Sequence, residues 1–243
     1  MTAPRAPLFR EVSDVPIDAL AIVYDLEGFS QFVSRPDAPL YVPRYLNSVT
    51  EAVSTLVYGG DAPWIPEHAN VDRRVRALPV APVERKFLGD GELLLWQVPK
   101  DRPGFVLSVL NRFWNLYLWF DGIVRRALED VHVYQLPRRI RVGAARGPVH
   151  VLERSDTGAR EYVGHCINLA DRLQRYCPEL SFIASASIGL PRTQLDKHTY
   201  SRVVAKNVRD LGEQIVIVDT ADFKRLPSEV RKDLFEELAS TRG

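Results

Sequence analysis

Two aspartates end apolar stretches and lie beside glycine-containing turns. Asp25 follows the run IVY and precedes Gly28, and Asp90 lies within the sequence KFLGDG. If the apolar stretches form neighbouring strands, the two carboxylates suit Mg²⁺ or Mn²⁺, which prefer oxygen ligands and bridge phosphates. The carbonyl of Leu26 would add another oxygen. The peptide nitrogens of the turn would then face the phosphates of a metal-bound nucleotide, which assigns phosphate binding to Gly28, Phe29 and Ser30.

Each aspartate also has an ordinary structural explanation. Asp-Gly is the favoured dipeptide of a type I′ hairpin turn, which alone would account for Asp90. An aspartate in front of a helical segment commonly caps its first turn, which alone would account for Asp25. Taken singly, the two residues leave these alternatives open.

A second pair of polar side chains lies on a helix that is predicted to follow Gly164. Asn168 and Arg172 are four residues apart, so they share one helix face. An amide and a guanidinium on one face suit a ribose and a phosphoryl group that gains charge. A solvent-exposed helix face is the simpler alternative, because arginine is common on protein surfaces.

The composition limits the class of protein. The chain has 243 residues, of which 46% are hydrophobic and 26% charged, enough for one large domain or two small ones. The net charge of +1 argues against nucleic-acid or membrane partners, and no aromatic RNA-binding strand is visible. Cys166 and Cys177 lack zinc-site spacing and are expected to be reduced core thiols. No signal peptide or membrane span is predicted, so the expected location is the cytoplasm.

Strands and helices alternate along the chain, which predicts an α/β protein in the broad sense (α+β) with a mixed sheet. Residues 1–17 are expected to be an N-terminal segment, residues 18–220 the main domain, and residues 221–243 a C-terminal helix with Ser228 as its N-cap. Residues 59–83, rich in Pro, Gly and charge, are interpreted as an insertion or long hairpin loop.

Periodicity and turn residues predict the elements of the main domain. Helices are expected over 43–58, 104–130 and from Gly164 to 177. Strands are expected over 18–26, within 84–98 on both sides of Gly-Asp-Gly, over 139–154 with a turn at Gly147-Pro148, from 161 to Gly164, and over 181–187, 202–208 and 213–219.

The order of these motifs resembles the class III nucleotidyl cyclases, the family of adenylyl and guanylyl cyclase catalytic domains. The chain contains DLEGFS, YGGD, KFLGD, GAARGPV and GHCINLADRL in the family order. The resemblance covers residues 18–220. It implies a ferredoxin-like βαββαβ domain in which helices pack on a mixed sheet.

The resemblance also implies an activity, the conversion of a nucleoside triphosphate into a 3′,5′-cyclic nucleotide and pyrophosphate with two Mg²⁺ or Mn²⁺ ions per site. Asp25 and Asp90 would bind the metals together with the Leu26 carbonyl. Asn168 would orient the ribose, and Arg172 would stabilise the pentavalent transition state. The active form would be a head-to-tail homodimer, in which the metal and base ligands come from one chain and the Asn-Arg pair from its partner.

Lys86 and Glu161 occupy the positions where the family recognises the base. Lys86 resembles the lysine of adenylyl cyclases, but its usual companion there is Asp or Thr, and Glu161 is neither. Guanylyl cyclases have Glu at the position of Lys86, which disfavours GTP. An ordinary lysine on a strand edge is the alternative for Lys86.

Two features depart from the family pattern. Leu211-Gly212 replaces a Lys-Gly whose lysine binds the terminal phosphates, so Lys206 or Arg209 would have to substitute, and residues 59–83 replace a short link. With no sensory, membrane or regulatory domain visible, the chain resembles the free-standing bacterial pyrimidine cyclases of the Pycsar antiphage systems. The expected reaction is UTP to cUMP, or CTP to cCMP, as a second messenger of antiphage defence. The alternatives are an adenylate cyclase making cAMP and a degenerate cyclase-like domain that only binds nucleotide.

Overall fold

The computed structural model of the chain describes residues 7–69, 72–130, 136–191, 193 and 200–238. Its helices are α1 (Phe29–Val33), α2 (Val42–Tyr58), α3 (Phe105–Asp130), α4 (His165–Gln174), α5 (Thr220–Arg225) and α6 (Ser228–Leu234). Its strands are β1 (Phe9–Glu11), β2 (Ile17–Glu27), β3 (Gly60–Asp61), β4 (Arg74–Val75), β5 (Glu84–Phe87), β6 (Gly91–Gln97), β7 (Arg139–Arg154), β8 (Arg160–Val163), β9 (Phe182–Ser185), β10 (Tyr200–Val208), β11 (Gly212–Asp219) and β12 (Phe235–Glu237).

A large sheet with the strand order β12-β10-β11-β9-β7-β2-β6-β5 organises the fold, and β1 and β8 pair with β7 beside this row. The four strands β7-β2-β6-β5 are antiparallel, with α2 between β2 and β5 and α3 between β6 and β7 in the chain. This is the predicted ferredoxin-like βαββαβ arrangement. The contact of β7 with β9 is parallel, which confirms a mixed sheet.

The sheet separates two hydrophobic layers, because alternate side chains of a strand point to opposite faces. Leu20, Ile22 and Tyr24 of β2 belong to the layer that includes α2 and α3. Ala21 and Val23 belong to the layer that includes α4. The alternation therefore places Asp25 on the α4 side of the sheet.

Two glycines of the sequence motifs allow close approach between elements. A Cβ atom at Gly143 on β7 would lie 2.0 Å from the carbonyl oxygen of Ala170 on α4 and 2.7 Å from the backbone nitrogen of Gln174. A Cβ atom at Gly91 would lie 1.8 Å from the carbonyl oxygen of Tyr24. Without side chains at these positions, α4 and the start of β6 can lie directly against the two central strands.

A buried polar network that the sequence analysis did not identify lies on the α2 side of the sheet. The hydroxyl of Tyr24 donates to Glu92 Oε2 at 2.7 Å, and Arg85 donates to both oxygens of Glu92 at 2.9 Å. Arg85 also donates to Ser54 Oγ at 2.6 Å and to the carbonyl oxygen of Thr50 at 3.2 Å. Burial and the Glu92 carboxylate raise the pKa of Tyr24, so its phenol stays protonated. The network ties the β5–β6 hairpin to β2 and α2.

The predicted turn at Gly147-Pro148 is wrong. Strand β7 runs without interruption from Arg139 to Arg154, and Pro148 lies opposite Asp18 of β2. On its other side β7 pairs with β9 only over 142–144 and with β8 only from His150 onwards. Proline lacks the N–H that a strand donates to its neighbour, so it is tolerated where one side of the strand has no neighbour, as at Pro148.

The predicted C-terminal helix is also wrong in two respects. Ser228 is the first residue of α6 and not its N-cap, which is Pro227. The helix ends at Leu234, and the following strand β12 pairs with β10 and forms the edge of the sheet. Phe235 is buried, and its ring packs edge-on against Tyr176 and Phe223, so tertiary burial overrides the helical pattern of the sequence. Residues 239–243 of the predicted helix lie outside the described residues.

The remaining segments pack on the outside of the domain. Strand β1 pairs with the end of β7, and residues 1–6 of the predicted N-terminal segment lie outside the described residues. Within 59–83, β3 and β4 form a small separate antiparallel pair. The backbone of Trp64 packs directly against α3 at Gly122, where a Cβ atom would lie 2.2 Å from the carbonyl oxygen of Trp64. Both cysteines are buried free thiols, as predicted, and burial raises the pKa of each to about 11. None of the described helices combines the length and apolar character needed to cross a membrane.

Replacement of Gly143 by alanine tests the close packing of α4 on β7. Because the added methyl group would collide with two backbone atoms of α4, we expect the free energy of unfolding of Gly143→Ala to fall by about 1–3 kcal/mol. Urea denaturation followed by circular dichroism measures the change. Gly104→Ala is the matched control, since nothing lies within 4 Å of its new Cβ, and it should change stability by less than about 0.5 kcal/mol. Equal stability of the two variants would contradict the packing.

Candidate active site

The carboxylate of Asp25 is buried at the centre of the sheet and is surrounded by donors. Arg141, its cross-strand neighbour on β7, donates from Nε to Oδ1 at 2.8 Å and from Nη2 to Oδ2 at 2.6 Å. With its amide nitrogen turned towards Asp25, Gln174 at the end of α4 donates to the two oxygens at 2.9 and 3.0 Å. Its amide oxygen then accepts from Arg175 Nε at 2.6 Å. This arrangement neutralises a carboxylate that burial would otherwise destabilise.

Asp90 lies in the turn between β5 and β6, next to the end of β2. Its carbonyl oxygen accepts from the backbone N–H of Leu26 at 3.0 Å, which joins the turn to the strand that carries Asp25. Partial burial and the negative charge of Asp25 raise the pKa of Asp90, while Arg175 and Arg141 oppose the shift. The two predicted acids are therefore brought together, as the sequence indicated.

The donor set of this acid pair suits a divalent cation. It combines the carboxylates of Asp25 and Asp90, which repel each other, with the carbonyl of Leu26. Because the N–H and the carbonyl of one strand residue point to the same side of the strand, and the N–H of Leu26 points to Asp90, its carbonyl does so too. Hard oxygen donors of this kind are the ligands of Mg²⁺ and Mn²⁺. Among the described residues no group of three or more His, Cys, Asp or Glu side chains is placed to hold a metal ion, so this site has two carboxylates and a backbone carbonyl.

The turn after Asp25 has the backbone conformation that the sequence suggested. Gly28 has a φ of 81°, which favours glycine, and it begins the short helix α1. Gly28 and Ser30 are exposed, whereas the side chain of Phe29 is buried against Phe32. Phe29 can therefore contribute only its backbone to a phosphate site. Glu27, on the strand side of the turn, forms an ion pair with Arg139 at 3.2 Å.

Lys86 and Glu161 lie together, although 75 residues separate them in the sequence. Lys86 is on β5 and Glu161 is on β8, and Lys86 Nζ lies 3.5 Å from Glu161 Oε2. The hydroxyl of Tyr162 donates to the carbonyl oxygen of Val83 at 3.3 Å, which links β8 to the residue before β5. Both charged side chains are partly exposed, so the pair is accessible to a ligand.

Asn168 and Arg172 lie on α4 but do not face the acid pair of their own chain. Asn168 is exposed. Arg172 forms ion pairs with Asp171 at 3.7 Å and with Asp210, in the turn between β10 and β11, at 3.5 Å. The arginine side chain is one-third exposed, so it keeps access to solvent from this position.

The structure separates the two residues that were predicted to replace the phosphate-binding lysine. Arg209 is exposed and lies 3.5 Å from Asp210, the same carboxylate that contacts Arg172. The amine of Lys206 instead donates to the carbonyl oxygen of Lys232 at 2.9 Å, at the end of α6. Of the two, Arg209 is the residue next to Arg172.

Three residues of the site were not identified from the sequence. Arg141 and Gln174 contact Asp25 directly, and Arg175 acts on Asp90 through its charge. Arg141 lies within the motif strand RIRVG, but only the register of β7 against β2 brings it opposite Asp25. Gln174 and Arg175 follow Arg172 closely, and nothing in the sequence distinguishes them from ordinary surface residues.

Neither a protein-family model nor a curated protein matches the chain. Among solved structures it is similar to the guanylyl cyclase Cya2, with 16% identity over 83% of this chain and 90% of that chain and a TM-score of 0.55. It is similar to the adenylyl cyclase CyaB from P. aeruginosa, with 15% identity over 85% and 96% of the two chains and a TM-score of 0.55. A bacterial light-regulated adenylyl cyclase matches with 14% identity over 84% and 91% and a TM-score of 0.50.

At identities this low, the similarity shows a shared fold and does not by itself show a shared activity. The agreement covers the mixed sheet, the packed helices and more than four-fifths of the chain. The chain has the fold of the class III nucleotidyl cyclase domains.

Proposed function

We propose that the protein is a nucleotide cyclase that converts a nucleoside triphosphate into a 3′,5′-cyclic nucleotide and pyrophosphate. The observation that carries the proposal is the convergence of Asp25 and Asp90 at the end of β2, where one carboxylate raises the pKa of the other. Two such acids suit a divalent cation that binds a triphosphate. The shared fold with adenylyl and guanylyl cyclases supports the same assignment.

The reaction is an in-line displacement at the α-phosphorus. The bond from the ribose O3′ to the α-phosphorus forms while the hydroxyl proton passes to solvent, the bond from the α-phosphorus to the oxygen shared with the β-phosphate breaks, and pyrophosphate leaves. Asn168 orients the ribose, and Arg172 stabilises the charge that develops in the transition state. Two Mg²⁺ or Mn²⁺ ions held by Asp25, Asp90 and the Leu26 carbonyl would lower the pKa of the 3′-hydroxyl and neutralise the phosphates. The backbone of Gly28, Phe29 and Ser30, together with Arg209, would contact the phosphates.

The proposed active form is a head-to-tail homodimer with two composite sites. Within one chain, Arg172 contacts Asp171 and Asp210, whereas the cations that act on Asp90 are Arg175 and Arg141. An arginine that faces away from the acids of its own chain is available to a substrate bound at the acids of a partner. Each site would therefore combine the acid pair of one protomer with Asn168 and Arg172 of the other.

The substrate that we favour is UTP, with CTP next and ATP as the alternative. Lys86 can donate to a base carbonyl or ring nitrogen, and Glu161 can accept from a base N–H. Because Lys86 Nζ and Glu161 Oε2 lie 3.5 Å apart, they can bind neighbouring acceptor and donor groups on one edge of a base. The uracil edge offers O4 as an acceptor beside an N–H donor, which suits both partners. The product would then be cUMP, a second messenger, and the antiphage role is proposed from the resemblance to pyrimidine cyclases.

A product assay tests the activity and the base preference together. The purified protein is incubated separately with UTP, CTP, ATP and GTP, with Mn²⁺ or Mg²⁺, and the products are identified by mass spectrometry. We expect a cyclic product and pyrophosphate, with the highest rate from UTP. A cyclic product from ATP alone would make the protein an adenylate cyclase. Binding without any product would favour the degenerate nucleotide-binding domain and would contradict the proposed activity.

Replacement of Asp90 by asparagine separates its catalytic role from its effect on stability. We expect Asp90→Asn to lower kcat/KM by about 100-fold or more, because a metal ligand is lost. Since burial and the charge of Asp25 raise the pKa of Asp90, its ionised form opposes folding, and this opposition fades as the pH falls through the raised pKa. The melting temperature of Asp90→Asn at pH 7 should therefore equal or exceed that of the unmodified protein. Asp101→Asn, at an exposed turn, is the control that should change neither quantity.

Mixing of two inactive variants tests the composite site. Asp90→Asn and Arg172→Ala should each be inactive alone. If the dimer is composite and exchanges at random, half of the dimers are mixed and each contains one intact site, so about a quarter of the sites recover activity. The recovered activity is measured after exchange has been demonstrated with differently tagged chains. Proven exchange without recovery would contradict the composite arrangement.

A further inference from the structure

Strand β5 carries Lys86, one of the two residues assigned to the base, but it lacks an apolar anchor. It is a four-residue strand at one end of the sheet, where β6 is its neighbour. None of its residues belongs to either hydrophobic layer, and Lys86 and Phe87 are exposed. A short edge strand without buried apolar side chains is weakly specified in register. Something other than hydrophobic packing must therefore fix where Lys86 lies.

Arg85 supplies this anchor from the other face of the strand. It lies opposite Leu94 of β6, which belongs to the layer on the α2 side of the sheet. Its guanidinium donates to both oxygens of Glu92 at 2.9 Å. It also donates to α2, to Ser54 Oγ at 2.6 Å and to the carbonyl oxygen of Thr50 at 3.2 Å. Four hydrogen bonds from one planar group fix its position relative to both β6 and α2.

The carboxylate that Arg85 contacts is itself held from the centre of the sheet. Glu92 is 5% exposed, so its charge requires partners inside the protein. The hydroxyl of Tyr24 donates to Glu92 Oε2 at 2.7 Å, and Tyr24 is buried in β2 directly before Asp25. A continuous set of buried contacts thus joins the strand of the first acid to the strand of Lys86.

This anchor determines which face of the sheet Lys86 presents. Successive side chains of a strand point to opposite faces, so Arg85 on the α2 side places Lys86 on the α4 side. There Lys86 Nζ lies 3.5 Å from Oε2 of Glu161 on β8. A slip of one residue would turn Lys86 to the α2 side, and a smaller displacement of β5 would change the separation of Lys86 from Glu161.

We propose that Arg85 is a positioning residue for base recognition, whose hydrogen bonds to Glu92 and α2 hold Lys86 at a fixed separation from Glu161. This inference rests on the proposed function, because Lys86 and Glu161 are the base ligands of that site. Arg85 itself contacts neither base nor phosphate, since its side chain lies on the other face of the sheet. The residues that select the base therefore include one outside the nucleotide site.

Selectivity depends on a fixed separation more than affinity does. The edge of uracil offers an acceptor oxygen beside a ring N–H, whereas the edge of cytosine offers an amino donor beside an acceptor ring nitrogen. A donor and an acceptor at set places fit one of these orders and leave the other unpaired. Lysine has three donors on a flexible side chain, so on a displaced strand Lys86 would find an acceptor on either base. Loss of the anchor should therefore reduce discrimination between the bases.

Arg112 on α3 provides a matched control. It is a partly buried arginine that also donates to α2, to the carbonyl oxygen of Leu56 at 2.5 Å. Its second acceptor is the carbonyl oxygen of Arg76 at 2.6 Å, and neither acceptor belongs to the β5–β6 hairpin. Replacement of Arg112 removes a comparable guanidinium and its contact with α2 without releasing Lys86.

The deciding experiment measures kcat/KM for UTP and for CTP on the same protein preparation and takes their ratio. An unfolded fraction lowers both values equally, so a purely structural role leaves the ratio unchanged. We expect Arg85→Met to lower the UTP-to-CTP ratio by about tenfold, and Arg112→Met to leave it within about twofold. An unchanged ratio in Arg85→Met would overturn the inference. An equal fall in Arg112→Met would also overturn it, because it would show a general loosening of the fold.

Arg85→Met leaves a buried carboxylate without its cation and can impair folding, so two further variants accompany it. The double variant Arg85→Met/Glu92→Gln removes both charges, and Tyr24 can still donate to the amide oxygen. It should show the same fall in the ratio as Arg85→Met. Arg85→Lys keeps the charge but loses the planar fork that spans Glu92 and α2, so its ratio should fall less. An unchanged ratio in the folded double variant would contradict the positioning role even if Arg85→Met does not fold.

Binding without turnover separates this inference from the proposed function. The 3′-deoxy forms of UTP and CTP lack the attacking hydroxyl, and the ratio of their Kd values in Mn²⁺ is measured by isothermal titration calorimetry. Cyclic product from the unmodified protein with unchanged ratios in the Arg85 variants would overturn the positioning role alone. A Kd ratio that falls in these variants, with no cyclic product from any nucleotide, would support positioning and overturn the cyclase assignment. Absence of binding by either analogue would overturn both.

Discussion

The carboxylate of Asp25 lies at the centre of the sheet, where β2 is flanked by β6 and β7 and covered by α4. Burial of a charge at such a position is costly unless partners with good geometry surround it. Arg141 and Gln174 provide these partners. This pairing requires both the register of β7 against β2 and the depth at which α4 packs on the sheet. One charged residue near the end of β2 therefore constrains the relative positions of β2, β7 and α4.

Two acid–arginine pairs lie near the same end of β2, one on each face of the sheet. On the α4 face Arg141 pairs with Asp25, and on the α2 face Arg85 pairs with Glu92, which also accepts from Tyr24. Tyr24 and Asp25 are adjacent in β2, so consecutive residues serve the two networks. The β5–β6 hairpin is held by the second network, and the turn that it positions carries Asp90. The acids therefore lie together because the hairpin cannot slide along β2 without breaking buried polar contacts.

The site also shows how one packing contact serves a chemical purpose. Gly143 allows α4 to approach β7 until Gln174 reaches Asp25, and the same helix directs Arg172 away from the acid pair of its own chain. Under the proposed function, this helix would support the acids of one chain and offer Asn168 and Arg172 to a partner.

The sequence by itself determined the main elements and the two acids of the site. The periodicity of 43–58 and 104–130 and the alternation in β2 are local signals, and the glycine-flanked motifs around Asp25 and Asp90 indicated that these residues act together. Only the tertiary structure decided which partners the acids have. Arg141 lies 116 residues from Asp25, and its role follows from strand register, which no local pattern encodes. The continuous strand through Pro148 and the strand β12 likewise depend on which neighbours pair with them, because burial against distant residues there outweighs local propensity.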